Sequence, residues 1–235
     1  MQELHGFGIF GRNSFRMRSL LFIGISLFFG YSYTQTTGTI TDARDGKVYK
    51  TVVIGNQTWM AENLNVDKFR NGDPIPEAKT KEEWKKAGEE GKPVWCYYNN
   101  DSTNGRIFGK LYNWYCVNDS RGLAPEGWQI PTDLQWKELT IFLGDEEIAG
   151  QKMKSKNGWS ENGNGSNDSG FSGLPGGNRT GSGRFFNPEF GKQGIWWSKD
   201  DINHFAYHFY LLDDGILPAP CSPKQEGLSV RCIKD

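Results

Sequence analysis

The sequence predicts an α+β fold of antiparallel strands, two or three short helices and one very long loop. Three observations carry this. Residues 47–54 are β-branched and partly alternating, and residues 57–60 read as the returning strand, the two joined by Gly55-Asn56, a two-residue turn of the kind that closes hairpins. Thr80 with Glu83, and Thr132 with Gln135, each form a capping box, in which a hydroxyl takes the N–H three residues on and a Glu or Gln side chain returns to the cap, so a helix starts at each. Residues 158–194 hold eleven glycines among many Asn and Ser, with few aliphatic residues to build an element.

The chain in order fills in this outline. Residues 20–29 are a short apolar run preceded by Arg12, Arg16 and Arg18 and followed by Gly30, Ser32 and Thr34, the layout of a secretory signal peptide spanning residues 1–34. Ten such residues fall short of the ~20 that span a bilayer, so an N-terminal membrane anchor is the weaker alternative; Met17 offers a second start site. No cysteine follows the run to take a lipid. Residues 35–46 are polar and expected to be flexible, and residues 47–235 form one domain that opens with the hairpin.

Residues 63–79 read as a loop with Gly72, Pro74 and Pro76. The helix begun at Thr80 stops at Gly91. Residues 92–98 read as a strand, 99–105 as a turn-rich break, and 111–117 as a buried aromatic stretch. Gly127 to Trp136 organises the chain. Ile130-Pro131 must be extended, because proline pushes its predecessor out of helical geometry, and Thr132 then caps a helix over 133–143 whose Asp133 meets the positive end of the dipole. A further helix covers 145–154. Within the long loop, Trp159 and residues 171–174 and 184–186 are the ordered islands. Strands return at 194–198, 206–212 and 228–233, with a turn at 213–215.

Composition narrows the function. Without residues 1–34 the chain keeps 24 basic and 27 acidic side chains. A balanced, slightly acidic surface gives no electrostatic reason to expect nucleic acid, nor membrane insertion once the signal is removed. Cys96, Cys116, Cys221 and Cys232 are an even set behind a signal peptide, which reads as two disulfides with three pairings open. None of them has the close spacing of a zinc site. Asp200, Asp201, Asp213 and Asp214 offer oxygens to calcium, but acidic pairs beside turns more often form the turn itself. The expectation is no cofactor, with calcium as the alternative. No nucleophile elbow marks a catalytic serine. Trp196-Trp197-Ser198-Lys199-Asp200-Asp201 is the most suggestive cluster. Neighbours on a strand face opposite ways, so one indole can be core and the other exposed beside carboxylates, as sugar-binding sites require; burial of both is the plainer reading.

Four stretches resemble one family: Asp45-Gly46-Lys47-Val48-Tyr49 leading to Gln57-Thr58-Trp59-Met60-Ala61-Glu62-Asn63-Leu64; Gly109-Lys110-Leu111-Tyr112-Asn113-Trp114 with Ala124-Pro125-Glu126-Gly127-Trp128-Gln129-Ile130-Pro131-Thr132; Gly170-Phe171-Ser172-Gly173-Leu174-Pro175-Gly176-Gly177; and Trp196-Trp197-Ser198 with Ser229-Val230-Arg231-Cys232. They resemble the Fibrobacter succinogenes major paralogous domain of secreted and surface proteins of Bacteroidota and Fibrobacterota, a family without an established activity. The Trp-x-Ile-Pro-Thr pattern is also similar to the core of the C-type lectin-like fold shared by sulfatase-modifying factors. That resemblance implies that 158–194 is a ligand-binding loop displayed on a compact base. It also implies a pairing of Cys96 with Cys232 and Cys116 with Cys221. The expected function is a secreted or cell-surface, non-catalytic module that binds a glycan or an extracellular protein through Trp159, Arg179, Phe185, Trp197, Asp200 and Asp201. A sulfatase-modifying-factor-like enzyme and a structural matrix component are the alternatives.

Overall fold

A computed structural model describes residues 35–144, 146–185, 190–212, 215–217 and 221–235. The signal-peptide and start-site expectations, and Asp213 and Asp214, lie outside the described residues. What is described belongs to one folded unit, Thr34–Asp235, of mixed α+β architecture in which every pair of named strands is antiparallel.

The first sheet joins the two ends of the domain. Strands β1 (Thr37–Thr41), β2 (Val48–Ile54) and β3 (Gln57–Met60) follow one another, β2 and β3 closing as the Gly55-Asn56 hairpin. β12 (Ile233–Lys234) then lies between β3 and β6 (Trp128–Gln129), with Ile233 opposite both Trp59 and Gln129. A second sheet is the long hairpin of β7 (Gln193–Ile202) and β8 (Phe205–Leu212), extended by β9 (Ile216–Leu217) and β10 (Cys221–Pro223). A small third sheet orders β11 (Gly227–Leu228), β5 (Leu111–Asn113) and β4 (Trp95–Cys96).

Five helices accompany the sheets among the described residues, against the two or three expected. α1 (Lys81–Glu89) and α4 (Asp133–Leu143) start at the two capping boxes, both of which form in full. α5 (Glu146–Met153) follows with acidic residues in its first turn. The additional two are short and capped by Asx side chains. Asp101 accepts from the Thr103 N–H to start α2 (Ser102–Phe108) inside the expected turn-rich break. Asn113 accepts from the Cys116 N–H to turn the aromatic stretch from β5 into α3 (Trp114–Val117). Such caps are read from one residue and are easily mistaken for turns. Residues 37–41, expected to be flexible, are β1.

Three hydrophobic cores result. One gathers Tyr49, Trp114, Trp128 and Trp197; another Trp59, Trp136, Trp159, Phe171, Trp196 and Phe209; the third Trp84, Cys96 and Tyr98. In the second, Trp136 stacks on Phe209 at 4.5 Å with an 8° tilt and lies 4.6 Å from Trp59. The sides of β7 feed different cores: Trp196 enters the second, Trp197 the first.

The described residues of the long segment, 158–185 and 190–194, lie against the body, which corrects its expected outward display. Phe171 is fully buried, edge-on to Trp59, Trp136 and Trp196. Its polar residues satisfy the backbone locally: Asn167 accepts from the Ser172 N–H and donates to the Ser172 hydroxyl, and Asn164 accepts from the Trp159 N–H. Glycine at 177, with a positive φ of 65°, lets the chain pass under Tyr98, where a Cβ would come within 2.7 Å of the ring. Small residues here serve close approach to the core.

Candidate functional site

The six residues expected to form a site do not converge. Trp197 is fully buried, donating its indole N–H to the Tyr112 carbonyl at 2.8 Å. Trp159 is buried in a different core and donates to the Gly173 carbonyl at 3.0 Å. Arg179 is 1% exposed; it binds the carbonyls of Ala78 and Thr80 at 2.7 and 2.8 Å and that of Gly183 at 3.2 Å, while its guanidinium lies 4.8 Å from both the Trp84 and Phe185 rings. It ties the long segment to α1. Phe185 packs on the third core, edge-on to Tyr98. Asp200 accepts from the Asp133 N–H at 2.7 Å, finishing the N-terminus of α4, and Asp201 pairs with Lys224 at 2.5 Å. Each side chain is engaged in holding the fold. Both faces of β7 are covered over residues 193–198, so alternation along the strand exposes neither indole.

The expected disulfides are also corrected. All four cysteines are free thiols. Cys96 belongs to the third core, Cys116 and Cys232 to the first, and Cys221 is exposed on β10. The Cys116 Sγ contacts the Val94 carbonyl at 3.3 Å and the Asn113 Oδ1 at 3.4 Å, so a hydrogen bond occupies it instead. Burial pushes the Cys96 and Cys232 thiols up to about 12. Among the described residues no group of three or more His, Cys, Asp or Glu side chains is placed to hold a metal ion.

An open groove of about 650 Å³ lies elsewhere, where residues 40–44 at the end of β1 meet 68–72 and 125–128. Its size falls in the range of ligand sites. Two arginines build it. Arg44 grips Asp42 through Nε at 2.8 Å and Nη2 at 2.6 Å, and its Nη1 reaches the carbonyls of Lys68 at 3.0 Å and Leu123 at 2.6 Å. Arg70 gives Nε and Nη2 to the Ala124 carbonyl, each at 3.1 Å, and its backbone N–H bonds the Gly122 carbonyl at 2.8 Å. These bonds fix the three walls relative to one another. Burial alone would raise the Asp42 carboxyl; the hydrogen bonds and charge of Arg44 outweigh it and hold the group below its ordinary value. Arg44 is in turn raised, burial opposing and Asp42 prevailing. The pair is therefore a fixed, internally neutral brace.

What the groove offers a ligand is the remainder: the exposed Lys68, Arg70, Asn71 and Glu126, the backbone of Gly72, and a floor edge from the largely buried Trp128. It is polar, with one more cation than anion once the brace is set aside. No serine, cysteine or histidine lines it. None of these residues is among those expected from sequence to bind a ligand. The one local signal is Asp42-x-Arg44, since an Asp that accepts from the N–H two residues on makes an Asx turn.

A mixed α+β domain with a capped helix at its organising turn and a long inward-packed connection is thus the class of protein the fold defines. Over residues 52–234 the chain matches the Fibrobacter succinogenes major domain, and it belongs to that family. No curated protein and no solved structure matches it.

Proposed function

We propose that this chain is a secreted or cell-surface, non-catalytic binding module, with a C-type lectin-like core, whose ligand is an extended acidic stretch of another extracellular protein seated in the groove beside β1. The observation that carries the reading is the groove itself: braced by Asp42–Arg44 and Arg70, rimmed by Lys68, and lined by no serine, cysteine or histidine. The choice of protein over glycan rests on the indoles. All nine tryptophans are 7% exposed or less, so none offers a face for a sugar ring to stack on, the usual source of carbohydrate affinity. Secretion follows from the apolar run at residues 20–29 behind three arginines. The resemblance of the Trp128-to-Thr132 turn supports the core assignment.

The enzyme alternative gains little. Its chemistry calls for closely paired, accessible, low-pKa thiols, whereas Cys96, Cys116 and Cys232 are buried and raised by that burial, which leaves Cys221 exposed without a second exposed cysteine.

The test sets the purified protein against a glycan array and a displayed library of acidic 12-residue peptides, with Lys68→Glu beside the unaltered chain. Capture of peptides, weakened about tenfold by the reversed charge, supports the reading. Glycan binding indifferent to Lys68→Glu overturns it.

A further inference from the structure

Resting on that reading, we infer that the partner segment is taken up as an added strand along the free edge of β1, running into the groove at Thr41. Among the described residues β1 is the terminal strand of its sheet. In an antiparallel pair, residues alternate between turning both backbone groups toward the partner and turning both away. The Val53 N–H donates to the Thr36 carbonyl at 2.9 Å, and the register continues unbroken from Thr37 opposite Val52 to Thr41 opposite Val48. Positions 36, 38 and 40 therefore spend their groups on β2, and Thr37, Thr39 and Thr41 turn theirs outward. The Lys50 carbonyl agrees with this phase, since it accepts from Ala61 on the opposite side of β2.

This edge carries none of the devices that keep edges from pairing. Thr-Gly-Thr-Ile-Thr has no charge and no proline, and its register has no bulge. Thr37, Gly38, Thr39 and Thr41 are exposed. The edge is held in place at both ends. The Gln35 side chain bonds the Asn167 carbonyl at 3.4 Å and the Asp168 carbonyl, and Asp42 takes the Lys47 carbonyl with its N–H at 2.8 Å. The three outward positions span ~13 Å, so a segment of about five residues matches them in strand geometry. Because Ile40 and Thr41 also line the groove, the end of such a strand arrives beside Lys68 and Arg70. Backbone pairing along β1 supplies affinity without sequence preference. The cationic rim selects an acidic side chain at one end, and that charge match makes a partner's acidic segment, not a second copy of the uncharged β1, the occupant.

Two perturbations separate the edge from the groove. Thr39→Pro removes an outward N–H and leaves the β2 pairing intact, since proline is tolerated where the N–H faces solvent. The probe is an acidic peptide selected from the library above, unmodified and N-methylated at alternate backbone positions, which leaves the protein unchanged. Strand addition predicts a loss of tenfold or more with Thr39→Pro, and losses for methylation at every second position only. Peptide binding that responds to Lys68→Glu but to neither Thr39→Pro nor methylation overturns strand addition while the groove reading stands. Absence of any acidic-peptide binding removes both. A dimer of the purified protein that Thr39→Pro dissociates assigns the edge to a second copy and also overturns the proposal.

Discussion

The Asn63 carboxamide is the counter-group of Arg231: its Oδ1 accepts from Nε at 3.1 Å and from Nη2 at 2.6 Å. The same oxygen takes the Trp196 indole N–H at 2.7 Å, and the Asn63 amide donates to the Phe108 carbonyl at 2.8 Å. Arg231 is fully buried, its guanidinium carbon over the Phe171 ring at 4.1 Å, and its remaining Nη1 reaches the Phe171 carbonyl. Burial brings its pKa down to about 9. A neutral oxygen thus anchors a buried cation, joining the end of β3, β7, the long segment and the C-terminal strand at one point.

Removing that oxygen leaves the Nε and Nη2 of a buried cation and a buried indole N–H without their acceptor. Asn63→Ala is expected to cost about 3 kcal/mol or more. Arg231→Met removes the charge together with its demands and is expected to cost less. Urea unfolding of the two variants orders them; an Asn63→Ala loss below that of Arg231→Met counts against the assignment.

His208 makes stability fall with acid. It is 8% exposed, edge-on to Trp197 and Tyr210, and its Nδ1 is buried without a hydrogen bond. Burial lowers its pKa from 6.5 to about 4. Between those values the unfolded chain binds the proton and the folded one does not, so stability rises with pH across this window and is lost on acidification through it. The full effect is about 3 kcal/mol. Glu226 opposes it: its carboxyl is raised by burial, so its contribution is lost as pH climbs. Comparing His208→Phe with the unaltered chain at several pH values isolates the histidine. The variant should lose markedly less stability between pH 6.5 and 4, and parallel curves would refute the assignment.

The thiols give a chemical readout. A thiol-specific colour reagent should titrate four thiols in the unfolded chain and, in the folded one, Cys221 alone at an appreciable rate, because the other three are buried with raised pKa values. Reducing agent should leave the melting temperature unchanged. Fewer than four thiols on unfolding would restore a bridge.

What could be read from sequence was local. Thr80 and Thr132 each settle a helix start within four residues, and Gly55-Asn56 settles a hairpin within two, so these elements lie where their residues say. The burial of Trp197 depends on Tyr112, 85 positions away, and strand alternation says nothing of whether a second layer covers the other face. Asp42, Arg44 and Arg70 look like loop charges until the carbonyls of 122–125 arrive. β1 is a strand because β2 pairs with it, since Thr-Gly-Thr has little pattern of its own.

The long segment misleads for a related reason, and it yields the sharpest stability test. Glycine, asparagine and serine read as a solvated excursion because they bury little apolar area, yet four of its side chains do the anchoring. Phe171 completes the cage around Trp59, Trp136 and Trp196, Trp159 joins the core that holds Met153 of α5, and Arg179 and Phe185 reach toward α1 and Tyr98. A displayed loop would tolerate Phe171→Ala at almost no cost. An inward one loses a buried aromatic, leaves a cavity among three indoles and uncovers the face of Arg231, for about 3–5 kcal/mol. Near-ultraviolet circular dichroism should weaken in step, since the affected tryptophans lie in one cluster. A variant with unchanged urea midpoint would return the segment to the surface and undo the case for placing recognition at the β1 edge in its stead.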